Sequence, residues 1–326
     1  MNKLIMASIA AALCCVSNAH AEVTKVIGLS WNSKENEIVN KWEEYMKSEA
    51  DRQGAAAGIK YKWIINVADN DPTRQAANIE DLINQGVDVI IARGEDAAAI
   101  GSSIRAAKRA HIPFISFDHG STTTQPDAYV SGNSYDQGKT TAEAFVALMK
   151  KNNIKGQCIE LQGPLKDVNA VQRSKAWHDI TDKSGVVSTL QTVPTEWNPQ
   201  LFRSGTVNAF RAHPEANCMF LGSDFAFTAV KSALESLNKW HPEGQLDHIW
   251  IASQDLFPDA VKAMEGKYID VATTYDAYAH AKEAIRVAIA LTEKKDPACS
   301  AEGCLAPGRV ATPENVEKLD HLWSRQ

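Results

Sequence analysis

Residues 61–117, YKWIINVADNDPTRQAANIEDLINQGVDVIIARGEDAAAIGSSIRAAKRAHIPFISF, carry the pattern that decides the fold. Short apolar runs alternate with stretches of helical periodicity, at residues 61–67, 73–85, 87–92, 96–109 and 113–117. Gly86 stands where a helix would end, because glycine adopts the left-handed conformation of a helix C-terminus at little cost. Short buried strands that alternate with helices are typical of βαβ units and a parallel sheet.

The same alternation begins before this stretch and restarts after it. One strand and one helix precede it, at 26–29 and 35–52. A second series has strands at 128–130, 157–161, 187–193, 218–221, 249–252 and 271–274, and helices at 134–149, 169–182, 199–213, 226–240, 257–265 and 278–292. The sequence therefore predicts an α/β fold with two doubly wound parallel-sheet halves, in which ligands bind beyond the carboxyl ends of the strands.

The first 21 residues, MNKLIMASIAAALCCVSNAHA, have the features of a secretory signal peptide. Lys3 supplies the positive start, residues 4–16 are apolar, and the small-x-small motif AHA is a cleavage site. The apolar run is too short to span a bilayer. We expect cleavage before Glu22 and export from the cytoplasm. The alternatives are an uncleaved anchor and a lipoprotein, which would need a cysteine directly after the cleavage site.

Composition and charge describe an ordinary globular protein. The 326 residues carry 34 Lys and Arg against 40 Asp and Glu, a formal charge of −6, and 44% of them are hydrophobic. Residues 22–326 suffice for two domains. A mildly acidic chain without a block of Lys or Arg is a poor candidate for binding nucleic acid or an anionic membrane.

Four cysteines follow the predicted leader. Cys299 and Cys304 lie in the polar stretch DPACSAEGCLAPGR, and their spacing predicts a disulfide that closes a small loop in an oxidising compartment. Cys158 and Cys218 each lie in a predicted buried strand. They could pair if those strands are neighbours, or stay as buried thiols that behave as small apolar residues. The spacing resembles no zinc site, so no metal is expected.

Polar and aromatic side chains follow nearly every predicted strand. Carboxylates, amides and arginine form paired hydrogen bonds with vicinal hydroxyls. An indole offers a flat apolar face to the C–H side of a sugar ring or polyol. Together they predict a polyhydroxylated neutral ligand, although the many carboxylates would also suit an amino-bearing one and disfavour a phosphorylated or acidic sugar. For each side chain the alternative is a purely structural role at a strand end or helix start.

In these segments the chain resembles the ribose/galactose-type periplasmic binding proteins, the substrate-binding subunits of ABC sugar importers. The segments are VIGLSWNSKENEIVNKWEEYMKSEA, DNDPTRQAANIEDLINQGVDVIIA, IPFISFDHG, CIELQGPLKDVNAVQRSKAWHD and TVNAFRAHPEANCMFLGSD. The resemblance implies two Rossmann-like lobes, joined by three crossovers, with the ligand in the cleft between them and hinge closure around it. The crossovers would lie near 132–133, 275–276 and 312. The lobes would then be 22–132 with 276–312, and 133–275 with 313–326.

The resemblance also implies a set of ligand-binding residues. Asp118 and His119 follow the fourth strand, and His119 stands where relatives often carry Arg or Lys. Asn169 and Arg173 begin the first helix of the second lobe, with Arg173 as a bidentate donor, and Trp197 matches the aromatic residue that stacks on the sugar.

Three further positions match at later strand ends. They are Asp224 beside Ser223, Asp255, and Tyr275, which stands with Asp276 where relatives carry Gln or Asn. In the first lobe the chain departs from the family, because Lys34, Glu35 and Asn36 replace an aromatic pair. Polar contacts from Lys34 and Glu35, with Trp31 taking over the stacking role, are the resulting expectation.

The resemblance implies a transport function without catalysis. We expect a periplasmic protein, monomeric, that captures a neutral monosaccharide or sugar alcohol and delivers it to an ABC transporter permease, with no cofactor. A sensing role towards a membrane chemoreceptor or sensor kinase stays open. A secreted enzyme is disfavoured because no G-x-S-x-G, H-E-x-x-H or phosphate-binding loop is present, and a repressor because a leader stands where a DNA-binding motif would be.

Overall fold

The computed structural model describes residues 23–320 and 322–325, which form two α/β lobes. The predicted signal peptide, residues 1–21, lies outside the described residues. Each lobe is built on one six-stranded sheet whose strands are mostly parallel. The fold class predicted from the alternating strands and helices is confirmed. Among the described helices, none is long and apolar enough to cross a membrane.

The first lobe has a fully parallel sheet in the order β11-β5-β4-β3-β1-β2. Its strands are β1 (Val23–Trp31), β2 (Ile59–Val67), β3 (Val89–Ala92), β4 (Phe114–Phe117), β5 (Ala128–Gly132) and β11 (Cys304–Ala306). Its helices are α1 (Glu37–Ala57), α2 (Pro72–Asn84), α3 (Ile100–Arg109) and α9 (Ala277–Thr292). Helix α9 returns from the second lobe and packs against α1.

The second lobe has a sheet in the order β12-β10-β9-β8-β6-β7, in which only the short β12 runs antiparallel to its neighbour. Its strands are β6 (Gly156–Gln162), β7 (Val187–Pro194), β8 (Cys218–Leu221), β9 (Trp250–Asp255), β10 (Val271–Thr274) and β12 (Val310–Ala311). Its helices are α4 (Ser134–Lys151), α5 (Val168–Thr181), α6 (Pro199–Ala212), α7 (Phe227–Ser236) and α8 (Pro258–Glu265), followed by 3-10 turns at Val316–Lys318 and Trp323–Arg325.

The chain passes between the sheets three times, after β5, after β10 and after β11. The third passage differs from the expected position near Thr312. Strand β11 ends at Ala306 in the first sheet, whereas Val310 and Ala311 already pair with Thr273 and Ala272 of the second sheet. Residues 307–309 therefore make the crossing. Edge strands of two or three residues are too short for a periodic pattern to mark them.

Alternate residues of the strands pack into separate cores on the two faces of each sheet. In β3, Val89 and Ile91 join the core that contains Trp42, whereas Ile90 and Ala92 join the core beneath α2 and α3. Successive side chains of a strand point to opposite faces, so a strand covered on both sides must be apolar throughout. Strands of this sequence such as β3 are apolar on both faces, and the polar residues follow at the strand ends.

Both pairs of cysteines form disulfides. Cys299 and Cys304 close the small loop before β11, as predicted. Cys158 and Cys218 also pair, because β6 and β8 are neighbours and place the two residues opposite each other in the parallel register. Both of these sulfur-bearing side chains are fully buried.

Candidate functional site

A cavity of about 460 Å³ lies between the lobes, at the carboxyl ends of both sheets. Helices begin around it where an Asn or Asp side chain accepts hydrogen bonds from the first free backbone N–H groups, as Asn36, Asp167 and Asn198 do. Eight of the predicted residues line the cavity together: Glu35, Asp118, His119, Asn169, Arg173, Trp197, Asp255 and Tyr275. Trp31, Lys34 and Asp224 do not.

The first lobe contributes a partly buried ion pair between Arg93 and Asp118. Arg93 follows β3, and its guanidinium also donates to Asn32 Oδ1 at 2.7 Å. Burial raises the pKa of Asp118, but the charges of Arg93 and His119 and the hydrogen bond from Tyr275 outweigh this effect and hold that pKa at about 2. Asp118 is therefore an acceptor at neutral pH, with oxygen lone pairs to offer a hydroxyl donor.

His119 is held in the wall of the cavity by two hydrogen-bonding partners. Its Nε2 lies 2.8 Å from Arg93 Nη2, and its Nδ1 lies 2.6 Å from the carbonyl oxygen of Gly94. A guanidinium only donates and a carbonyl only accepts, so Nε2 accepts and Nδ1–H donates. The guanidinium of Arg93, which reaches this place from a different strand, supplies a permanent positive charge beside His119.

The second lobe contributes the matching pair of Arg173 and Asp255. Arg173 Nη2 lies 2.8 Å from Asp255 Oδ1, and Nη1 donates to Asp255 Oδ2 at 3.0 Å and to the carbonyl of Gly222 at 2.9 Å. Ser223 Oγ also donates to Asp255. Burial lowers the pKa of Arg173, but the charge of Asp255 outweighs this effect and raises it. The planar fork is thus held rigid before any ligand arrives.

Tyr275 and Asn169 connect the lobes at the back of the cavity. The Tyr275 hydroxyl donates to the Asp118 carboxylate, and its ring lies 5.3 Å from the guanidinium carbon of Arg173. Asn169 Nδ2 donates to the backbone carbonyl of Asp118 at 3.2 Å. Gly132 is required beside them, because a Cβ there would lie 2.5 Å from the Tyr275 ring. These contacts connect the two arginine–carboxylate pairs across the boundary between the lobes.

Trp197 forms an aromatic wall on the second lobe. Its Nε1 donates to Asp167 Oδ2 at 2.8 Å, and its ring packs against Phe202 and Phe225. Gly163 leaves room for the indole, since a Cβ at that position would lie 2.1 Å from the ring. Trp197 is half-buried and lines the cavity, so part of its surface is free to contact a ligand.

The expected stacking role of Trp31 is wrong. Strand β1 continues to Trp31, so this residue shares a strand face with Ile27 and Leu29 and is fully buried in the core. It stacks on Trp42, which lines the cavity in its place. Lys34 is also corrected, because it turns away from the cavity and forms an ion pair with Glu43 at 2.5 Å.

Asp224 does not line the cavity but stabilises the turn behind it. It is buried behind the cavity lining, where it accepts from the backbone N–H of Phe257 at 2.8 Å, from that of Leu256 at 3.2 Å, and from Ser253 Oγ. These bonds hold the turn after β9 that presents Asp255 and Phe257. Burial, followed by the charge of Asp255, raises the pKa of Asp224 to about 8.

A pH-dependent stability follows from this raised pKa. An unfolded aspartate loses its proton near pH 4, whereas folded Asp224 keeps it to about pH 8, so the folded state loses relative stability as the pH rises between these values. We expect Asp224→Asn to remove a slope of up to about 1.4 kcal/mol per pH unit. Urea unfolding of both proteins from pH 5 to pH 8 measures it. The titrations of other groups are shared and cancel in the difference, and parallel curves would contradict the prediction.

Several residues of the cavity lie outside the predicted set of ligand-binding residues. Asn32, Arg93 and Glu95 follow predicted strands, so their position was a signal, although Arg93 could equally have formed a surface ion pair. The aromatic residues Trp42, Phe225 and Phe257 also line the cavity. No local pattern separates these rings from core residues. Within the described part of the chain, no group of three or more His, Cys, Asp or Glu side chains could hold a metal ion.

Comparison with known proteins agrees with this architecture. A sequence profile for the periplasmic binding protein domain matches residues 27–296. The chain is 24% identical over 268 residues to the ribose import binding protein RbsB of Escherichia coli, an alignment that covers 82% of this chain and 85% of that protein. It is 25% identical over 300 residues to a putative rhizopine-binding protein of Rhizobium meliloti, covering 90% and 91%.

A solved structure with the same fold is the ABC transporter solute-binding protein from Bacillus halodurans with bound myo-inositol. It has a TM-score of 0.78 at 23% identity and covers 93% of this chain and 98% of its own. These relatives are binding proteins, and this chain is likewise a binding protein and not an enzyme. Because the profile spans most of both lobes, the chain belongs to the periplasmic binding protein domain family, with the two-lobed type I fold.

Proposed function

We propose that this protein captures a small polyhydroxylated molecule, a monosaccharide or sugar alcohol, in the cavity between its lobes. The observation that carries the proposal is the cavity itself, where an arginine–carboxylate pair from each lobe meets aromatic walls. Arg173 and Asp255 can donate to and accept from neighbouring hydroxyls, and Asp118 accepts from the opposite side. Trp197 supplies a flat surface for the apolar face of the ring.

Binding favours the closed arrangement of the lobes, since ligand contacts made by both lobes together are available only when the cleft is shut. The equilibrium shifts only as far as the ligand binds the closed state more tightly than the open one. Ligand-binding residues from both lobes, such as Asp118 and Asp255, are therefore essential to the mechanism.

The compartment and partner form the second part of the proposal. The predicted leader and the two disulfides fit a protein of the periplasm, where disulfides persist. The named relatives include a ribose import protein and an ABC transporter solute-binding protein. We accordingly place this chain as the substrate-binding component of an ABC importer. The sensing role considered from the sequence has no separate support from the site, so it is not proposed.

A ligand panel tests the function. Thermal unfolding of residues 22–326 is measured with sugars, sugar alcohols, amino sugars, amino acids, sugar phosphates and sugar acids. A ligand at about 1,000 times its dissociation constant adds roughly 4 kcal/mol to the free energy of unfolding. We expect stabilisation by uncharged or amino-bearing polyols only. Stabilisation confined to amino acids or to anionic sugars would contradict the proposal.

A further inference from the structure

The lining of the cavity carries an excess of negative charge. It contains six carboxylates and three permanent cations. The carboxylates are those of Glu35, Glu95, Asp118, Asp167, Glu196 and Asp255. The cations are those of Arg93, Lys166 and Arg173. A ligand without charge does not use this excess. An anionic ligand would be repelled by it, because charges that face a closed cavity are poorly screened.

Both arginines are already committed to the protein. Arg93 is held by Asp118, Asn32 and His119, and Arg173 by Asp255 and the carbonyl of Gly222. The positive charge of each guanidinium is thus offset by the carboxylate beside it. The two pairs bind hydroxyls by their remaining donors and acceptors and contribute little net charge to the cavity.

The other four carboxylates have no basic partner within 4.0 Å among the described residues. Glu35 and Glu95 lie on the wall of the first lobe, and Asp167 and Glu196 on that of the second. Glu95 and Asp167 are half-buried, whereas Glu35 and Glu196 are exposed. Lys166, the third cation of the lining, is exposed as well, and water screens these exposed charges. Glu95 and Asp167 therefore dominate the electrostatic potential inside the cavity.

An aromatic surface adjoins one of these carboxylates. Asp167 Oδ2 accepts the hydrogen bond from Trp197 Nε1, so the carboxylate and the indole stand together on one wall. The rings of Trp42 and Tyr275 have Arg93 and Arg173 over them, whereas no cation of the described chain lies over Trp197. A carboxylate beside an open indole face is a combination that attracts an ammonium group.

We propose that the ligand carries a protonated amine on its polyhydroxylated frame, as an amino sugar or an aminocyclitol does. The inference rests on the proposed function and narrows its ligand class. The ammonium group lies between Asp167 with Trp197 on one side and Glu95 on the other, while the hydroxyls bind the two arginine–carboxylate pairs.

Matched ligand pairs measured by calorimetry test the proposal. The pairs are D-glucosamine and D-glucose, D-galactosamine and D-galactose, and an inosamine and myo-inositol. We expect the amine to bind at least tenfold more tightly than the hydroxyl compound in the pair that fits the cavity. Raising the salt from 20 to 500 mM shrinks that ratio only partly, because added ions screen partly buried charges less than exposed ones. N-acetylation of the amine removes the preference.

Two variants separate charge from shape. Glu95→Gln and Asp167→Asn keep the size of the side chain and remove its charge. In Asp167→Asn the amide oxygen still caps α5, whereas the amide nitrogen cannot accept from Trp197 Nε1. Each variant is expected to weaken the binding of the amine by a larger factor than it weakens the binding of the matching hydroxyl compound. Glu37→Gln removes a charge from the start of α1 outside the cavity lining and leaves the ratio unchanged.

The outcomes distinguish the inference from the proposed function. Binding of the hydroxyl compound as tightly as its amine, with no change of the ratio in either variant, overturns the inference and leaves the function standing. If a broad panel finds neither neutral nor amino-bearing polyols to bind, the function fails and the inference fails with it.

Discussion

Replacing Arg173 with alanine is expected to weaken ligand binding about 100-fold or more. The guanidinium is fully buried beside the cavity and holds Asp255 and the Gly222 carbonyl in place. Hydrogen bonds to charged groups are worth about 1.5–3 kcal/mol each, so losing two of them reaches this factor. Calorimetry with the ligand from the panel measures the change.

The same substitution also costs stability, because it leaves Asp255 buried without its cation, a change worth roughly 3–5 kcal/mol. Arg173→Lys separates the two effects, since it keeps a positive charge for Asp255 but lacks the planar fork. We expect this variant to fold and still to lose at least about tenfold in affinity. Arg203→Ala, at an exposed arginine of α6 away from the cavity, is the matched control. Wild-type binding by Arg173→Ala would refute the assignment of the cleft.

Removing the disulfide of Cys158 and Cys218 is expected to lower the free energy of unfolding by about 4 kcal/mol. The bridge spans 60 residues, and the entropy that a cross-link removes from the unfolded chain grows with the length of the closed loop. It also joins two central strands of the second sheet. The variant Cys158→Ala/Cys218→Ala is compared with wild type by urea unfolding.

The chain contains its own control for this prediction. Cys299 and Cys304 are only 5 residues apart, so the same relation gives about 2 kcal/mol for the second bridge. Reduction of wild type by dithiothreitol removes both bridges together and measures the sum of the two losses without creating a cavity. Equal losses for the two alanine double variants, or a loss below about 1 kcal/mol for the longer loop, would contradict the account.

The fold could be predicted because its signals are local and repeated. Each buried parallel strand is an apolar run between two stretches of helical periodicity, as at residues 87–92. A single apolar run could be a strand or a buried helix segment, but the repeated alternation indicates strands. The expected position of the site followed from the same pattern, because strand ends in such sheets collect at one edge. The roles of Asp118, Arg173 and Asp255 came from the resemblance to the binding-protein family, which implies ligand contacts at these positions.

The remaining site residues depend on geometry that spacing does not encode. The expectation for Trp31 is wrong because β1 ends two residues beyond the apolar run at 26–29, and the alternation of side chains along the strand then turns the indole into the core. Trp42 lines the cavity because of how α1 sits on the sheet, which no local pattern reports. Asp224 accepts hydrogen bonds from backbone N–H groups of the next turn, whereas Asp255 is paired with Arg173, and the sequence does not distinguish these two environments.

The central claim is that one small ligand is held by both lobes in the cavity between them. A crystal structure of residues 22–326 with the ligand identified by the panel tests it most directly. We predict ligand density against Trp197, with hydrogen bonds to Arg173 and Asp255 from the second lobe and to Asp118 from the first. Density outside the cavity, or contacts with one lobe only, would contradict the account.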